Sequence, residues 1–274
     1  MAQINKYSPI AVTDSGIGGL STLDWLCRLM PNEDFIYFGD SQNNPYGTKS
    51  TELVREIVFK NTQTLMSMGA KAIVVACNTA TGAAVRALRN TYPDFTFVGI
   101  EPAIKPAALD KSSPTVAVMA TPLTLSQDKF LRLAQKYADD CKVIPIACKG
   151  LADMIEGGDL EGEGLDLYLK DLFSDYDTHS IDSVVLGCTH YALIEDRIRA
   201  ALPAHVKIFD GSLGVAKETQ RQLSVKGLLS DSDKVGDVSV INTKISNEPL
   251  FKISTNDRDL VKSIISRYIQ AKSI

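Results

Sequence analysis

A chain of 274 residues has room for one large domain or two modest ones, and with 45% of its residues hydrophobic it can bury a substantial core. Its formal net charge of -4, with no cluster of Lys and Arg, weighs against a nucleic-acid partner. No stretch approaches the roughly 18 apolar residues of a membrane span, and "MAQINKYSPI" lacks the apolar core of a secretory signal, so a soluble, cytoplasmic protein without a membrane partner is expected.

In chain order, the first strand is expected in "PIAVTD" (Pro9 to Asp14), followed by a glycine-rich turn, "DSGIGGLS", and a helix in "LSTLDWLCRLM". The glycines have Gly-x-Gly-Gly spacing rather than G-x-G-x-x-G, and no Walker lysine follows, so a nucleotide loop is not indicated. They read instead as room for a tight strand-to-helix turn and a small ligand. "NNPYGTKS" (Asn43 to Ser50) is either a Pro-Tyr-Gly turn or a loop whose N–H groups meet a carboxylate. Next come three further strand-then-helix pairs: "AIVVAC" with "GAAVRALRNTY", "TVAVMAT" with "SQDKFLRLAQKYA", and "SVVLGC" with "ALIEDRIRAAL". This alternation predicts an α/β fold of mostly parallel sheets, and the continuous apolar runs predict strands covered by helices on both faces. "IAVTDS" and "VVAC" recur in the same order as "VAVMAT" and "VLGC", which predicts two related lobes. The remainder comprises a helix in "GVAKETQRQLSVKGLL", a polar turn, strands in "VSVINTKI" and "LFKIST", and a last helix from about Asp257 to Tyr268. It is too short for a third lobe and should pack back on one of the first two.

Ligands of open parallel sheets bind beyond the C-terminal strand ends. The four ends above carry Asp14 and Ser15; Cys77, Asn78 and Thr79; Thr121; and Cys188, Thr189 and His190. If the lobes face each other, these residues line one cleft. A thiol can act as acid or base once its pKa is tuned by neighbours, and two thiols across a cleft suit removal of a proton from one face of a carbon and delivery to the other. His190 is placed to assist Cys188, and Asp14 to influence Cys77. Helix N-termini behind the two cysteines would offer N–H groups to a substrate carboxylate.

Of the other cysteines, Cys27 lies inside an amphipathic helix, and Cys141 and Cys148 read as structural. An odd count without a secretory signal indicates free thiols, and no C-x-x-C pair marks a zinc site, so no metal is expected. His179 and His205 fall in polar loops. Two other readings stand beside racemisation: a metal-dependent hydrolase built on Cys188 and His190, and a non-catalytic binding protein that kept the cleft.

Six stretches together, "DSGIGGLSTL", "YFGDSQNNPYGTKS", "VVACNTAT", "VGIEPAIKPA", "IACKGLADMIEGG" and "LGCTHYALI", resemble the glutamate racemases of the aspartate/glutamate racemase superfamily along almost the whole chain. The resemblance implies a cofactor-independent enzyme supplying D-glutamate for peptidoglycan, with racemisation of aspartate or another acidic substrate as the close alternative. In it Cys77 would work on the D-enantiomer and Cys188 on the L-enantiomer. Asp14 would assist Cys77, and His190 with Glu156 would assist Cys188. Asp14, Ser15, Pro45, Tyr46, Gly47, Asn78, Thr79, Thr121, Thr189 and His190 would hold the substrate. The resemblance also implies a first lobe of residues 1–99 and 211–274, a second of 100–210, an active site between them, and a homodimer. The chain departs from the family pattern at Ala120 and Thr121 in place of Gly-Thr, at Phe130 in place of tyrosine, and at "IFDGS" (Ile208 to Ser212) in place of Ile-Asp-Ser.

Overall fold

In a computed structural model, which describes residues 4–112 and 114–272, ten strands form two sheets. The first sheet contains β1 (Ile10–Asp14), β2 (Phe35–Gly39), β3 (Ala72–Val75), β4 (Thr96–Gly99), β9 (Asp237–Asn242) and β10 (Ser246–Ser254), in the order β10-β9-β2-β1-β3-β4. The second contains β5 (Thr115–Ala120), β6 (Lys142–Ala147), β7 (Ser183–Leu186) and β8 (Lys207–Asp210), in the order β6-β5-β7-β8. All pairings are parallel except β9 with β10. The runs β2-β1-β3-β4 and β6-β5-β7-β8 follow the same spatial order, as the repeated strand patterns predict.

Both faces of each sheet are covered, which is why the central strands are apolar throughout. Alternate residues of β1 and β3 go to opposite cores: Ile10, Val12 and Val74 pack with the helix Leu20–Leu29, whereas Ala11, Ile73 and Val75 pack with Thr51–Ser67 and the segment 78–91. Ala117, Met119 and Val184 likewise separate from Val116, Val118 and Val185. Cys27 is buried in the first of these cores, as its helical setting predicts.

The C-terminal segment adds β9 in parallel beside β2, leaves β10 as an antiparallel edge, and ends in the helix Leu260–Lys272. Four strands escape the sequence reading. Two of them, β6 and β8, lie at sheet edges with exposed lysines, and β6 also contains Pro145, which is tolerated at an edge because a missing N–H there breaks no ladder. The helices after Cys77 and Cys188 also differ from the expected regular ones. The first runs as Asn78–Ala80, a π-helical turn Thr81–Val85 and Arg86–Thr91; the second opens with a 3-10 segment, Thr189–Ile194, before Glu195–Ala200. Of the expected lobes, residues 1–3, 113 and 273–274 lie outside the described residues. Among the described residues no helix is long and apolar enough to cross a membrane.

Candidate active site

The C-terminal ends of β1, β3, β5, β6 and β7 converge on a cavity of about 300 Å³. Its wall includes Ser15 and Cys77 from the first sheet and Thr121, Cys188 and His190 from the second, together with Pro45, Tyr46, Gly47 and Thr79. Both thiols are reduced and largely shielded, Cys77 at 6% and Cys188 at 8% exposure.

Cys77 follows β3 by two residues and stands as the N-cap of the segment beginning at Asn78. Its sulfur lies 3.8 Å from the Ser15 hydroxyl. Burial, reinforced by the negative charge of Asp14, pushes its pKa up to about 12, against the pull of the Ala80 amide and the Ser15 hydroxyl. The resting group is therefore a thiol. Asp14 does not line the cavity; it sits behind it, accepting hydrogen bonds from the Gly16 amide (2.9 Å) and the Thr189 hydroxyl (3.0 Å). Thr189 thus ties the second sheet to the first instead of facing the cavity.

Behind Cys188 stands a charged pair. His190 Nδ1 is 3.9 Å from the Cys188 sulfur, and its Nε2 is 2.9 Å from Glu156 Oε2. Burial opposes charging the imidazole, but the hydrogen bonds to Cys188 and Glu156 and the charges around it hold its pKa well above the ordinary histidine value. Burial likewise opposes charging Glu156, yet bonds from His190, the Ser41 hydroxyl and the Ile17 amide keep its pKa below the usual carboxylate range. His190 thus stands as an imidazolium with Nδ1 toward the Cys188 sulfur. Glu156 is thus a partly buried partner of His190.

The glycine-rich turn makes this approach feasible. A methyl group on Gly16 would overlap the Glu156 carboxylate, and one on Gly18 would lie 2.5 Å from His190 Nδ1. The room at these glycines, expected to serve a tight strand-to-helix turn and a small ligand, is taken up by side chains that follow strands of the second sheet.

The Tyr46 ring lines the cavity, but its hydroxyl donates to Asp40 Oδ2 at 2.6 Å, which anchors the loop. Asn78 is 5% exposed and neither polar atom of its amide has a hydrogen-bond partner among the described residues; it borders a small adjoining space with Gln127 and Thr124. Thr79 Oγ1 lies 3.1 Å from Thr121 Oγ1 and 2.8 Å from Thr124 Oγ1, joining the two sides of the cavity.

The sequence reading missed Asn44, Lys149 and Asp153, which also line the cavity, and it treated Cys148 as purely structural. Cys148 follows β6 directly, so the strand-end rule would have found it had "KVIPIA" been read as a strand. Burial pushes this thiol up to about 12 as well. Among the described residues no group of three or more His, Cys, Asp or Glu side chains is arranged to hold a metal ion.

Two sheets, parallel but for one edge strand, meeting over paired thiols define a class. The chain belongs to the Asp/Glu/hydantoin racemase family, whose family model matches residues 30–218. A glutamate racemase of Clostridium botulinum is 43% identical to it, over 91% of this chain and 96% of that protein. The solved structure of the glutamate racemase isoform RacE1 from Bacillus anthracis superposes with a TM-score of 0.80 at 28% identity, covering 97% of this chain and 95% of that one. The glutamate racemase of Francisella tularensis, solved in complex with D-glutamate, gives a TM-score of 0.78 at 29% identity over 95% and 94%. Within the family this chain is an amino-acid racemase of the glutamate racemase group, an isomerase.

Proposed function

We propose that the chain interconverts L- and D-glutamate by proton transfer between Cys77 and Cys188, without a cofactor. The observation that carries this reading is that two thiols from two different sheets line one small cavity, one kept as a thiol and the other beside an imidazolium. With L-glutamate bound, the Cys188 thiolate takes the α-proton. The electron pair of the broken C–H bond passes into the carboxylate as an enolate-like intermediate. The Cys77 thiol then protonates the opposite face and is left as thiolate, and the reverse sequence converts the D-enantiomer. Developing charge in a water-poor cavity needs preorganised donors, for which Ser15, Thr79, Thr121 and the loop 45–47 are at hand, with Asn78 and Thr189 behind them. Asp14 then acts on Cys77, and His190 with Glu156 on Cys188.

The same reading includes D-glutamate supply to peptidoglycan, a cytoplasmic homodimer, and a division of the chain into residues 1–99 with 211–274 and residues 100–210. The division is supported by sheet membership: β1 to β4, β9 and β10 in one sheet, β5 to β8 in the other. It is tested by incubating the protein in D2O with L- or D-glutamate and following optical rotation and α-deuterium. Racemisation with α-exchange that is abolished by Cys77→Ser and by Cys188→Ser is expected. Full racemisation by either variant overturns the two-thiol reading, and turnover of aspartate in preference to glutamate overturns the substrate.

A further inference from the structure

A chain of hydrogen bonds runs from His190, beside Cys188, to the strand that the C-terminal segment inserts beside β2. Parallel pairing sets Asn242, the last residue of β9, opposite Gly39, two residues before Ser41. The direction of the next two hydrogen bonds is fixed by the first. The Lys244 backbone N–H can only donate, and it donates to Asn242 Oδ1 at 3.1 Å. The Asn242 amide therefore presents its Nδ2 hydrogens to Ser41 Oγ, at 2.8 Å. Ser41, having accepted, has its single O–H left to donate, and its acceptor is Glu156 Oε1. The other carboxylate oxygen accepts from the Ile17 amide and from His190 Nε2, both at 2.9 Å. His190 Nδ1 then faces the Cys188 sulfur. Ser41 and Asn242 are both nine-tenths buried or more, at 7% and 3% exposure, so water does not readily replace either partner.

We propose that Ser41 and Asn242 are positioning residues for the racemisation: acting through Glu156, they hold His190 oriented toward Cys188. The inference rests on the proposed two-thiol reaction. A carboxylate satisfied at both oxygens stays ionised and keeps the imidazole oriented. Deleting the Ser41 hydroxyl leaves Oε1 of a partly buried carboxylate unpaired, so Glu156 protonates more readily and the imidazole loses its fixed partner. The barrier on the Cys188 side rises while the Cys77 side is untouched.

The test compares Ser41→Ala, Ser41→Thr and Asn242→Ala with the wild-type enzyme, using L- and D-glutamate carrying α-deuterium. Because both directions cross the same two barriers, kcat/KM should fall alike in both for Ser41→Ala, by about 10-fold, and its acid limb should move to higher pH. The diagnostic readout is the primary isotope effect on kcat/KM. It should rise for L-glutamate, whose proton Cys188 removes, and fall for D-glutamate. Ser41→Thr, which keeps the hydroxyl, should restore the wild-type pattern. Should Ser41→Ala fail to fold by circular dichroism, Asn242→Ala carries the same isotope test. Isotope effects and pH profile unchanged from wild type in the folded variant would overturn the positioning role. A wild-type enzyme that racemises independently of Cys188 would overturn the underlying reaction instead.

Discussion

The Asp14 carboxylate accepts a 3.0 Å hydrogen bond from the hydroxyl of Thr189, so the end of a strand in the first sheet is joined to the segment that follows a strand in the second. At 2% exposure Asp14 is an expensive residue: burial is the chief cause that raises its pKa, and the favourable His190 charge and two hydrogen bonds recover only part of the cost. A carboxyl whose folded pKa lies above its unfolded value makes the folded state lose stability as pH rises through that interval. Asp14→Asn removes the titration and keeps the shape, with Oδ1 accepting from Gly16 and Nδ2 donating to Thr189. The variant should unfold at the same or a higher temperature than wild type at pH 7 and lose racemase activity. A clear drop in melting temperature would contradict this account.

Gly16 and Gly18 should tolerate no side chain. Gly16→Ala forces the Glu156 carboxylate away from the Ile17 amide, and Gly18→Ala presses on both the ring and the backbone nitrogen of His190. Crowding of this kind costs about 1–3 kcal/mol. Denaturant titration should register that loss, and the activity of the remaining folded enzyme should fall further than the stability change explains, since the displaced groups stand beside Cys188.

How much of this could be read in the sequence follows from where each residue draws its signal. Cys77 and Cys188 are legible because both end strands buried on two faces, which appear as unbroken apolar runs, and the strand-end rule then selects the next polar residues. The edge strand β6 offers Lys142 and Pro145 instead, and Cys148 was lost with it. The partnership of Glu156 with His190 was available from the family resemblance, but Ser41 and Asn242 were not, because a single serine in a loop and an asparagine far along the chain meet only through the pairing of β9 with β2. The Thr189 contact escaped for the same reason: side chains at a strand end can face the cavity or the opposite sheet, and residue type does not distinguish the two.

A second buried charge pair lies at the other end of β3. The Lys71 ammonium, with no exposed side-chain surface, is paired with Glu33 and donates to the Lys6 carbonyl at 2.6 Å, while Glu33 also accepts from the Ser230 amide at 2.8 Å. It joins the start of the chain to the segment leading into β9. Lys71→Met strands a buried carboxylate and should cost about 3–5 kcal/mol in chemical denaturation, whereas adding Glu33→Gln should recover most of it. Activity per folded molecule should be unchanged in both, since neither residue lines the cavity. Equal destabilisation of the single and double variants would show that packing, not the unpaired charge, carries the effect.

The protonation of Cys77 can be followed directly. With a pKa of about 12, its thiolate fraction in the free enzyme rises about tenfold for each pH unit throughout the neutral and mildly alkaline range. Alkylation by iodoacetamide, followed by mass spectrometry of the Cys77 peptide, should therefore increase with unit logarithmic slope from pH 7 to pH 10 without a plateau. Because the Asp14 charge is the second cause of the rise after burial, Asp14→Asn should speed alkylation at any fixed pH in this range. A plateau below about pH 9 would mean that the free enzyme already holds Cys77 as a thiolate. In the proposed reaction it would then be poised to deprotonate the D-enantiomer, opposite to the resting state that the burial and charge around Cys77 define.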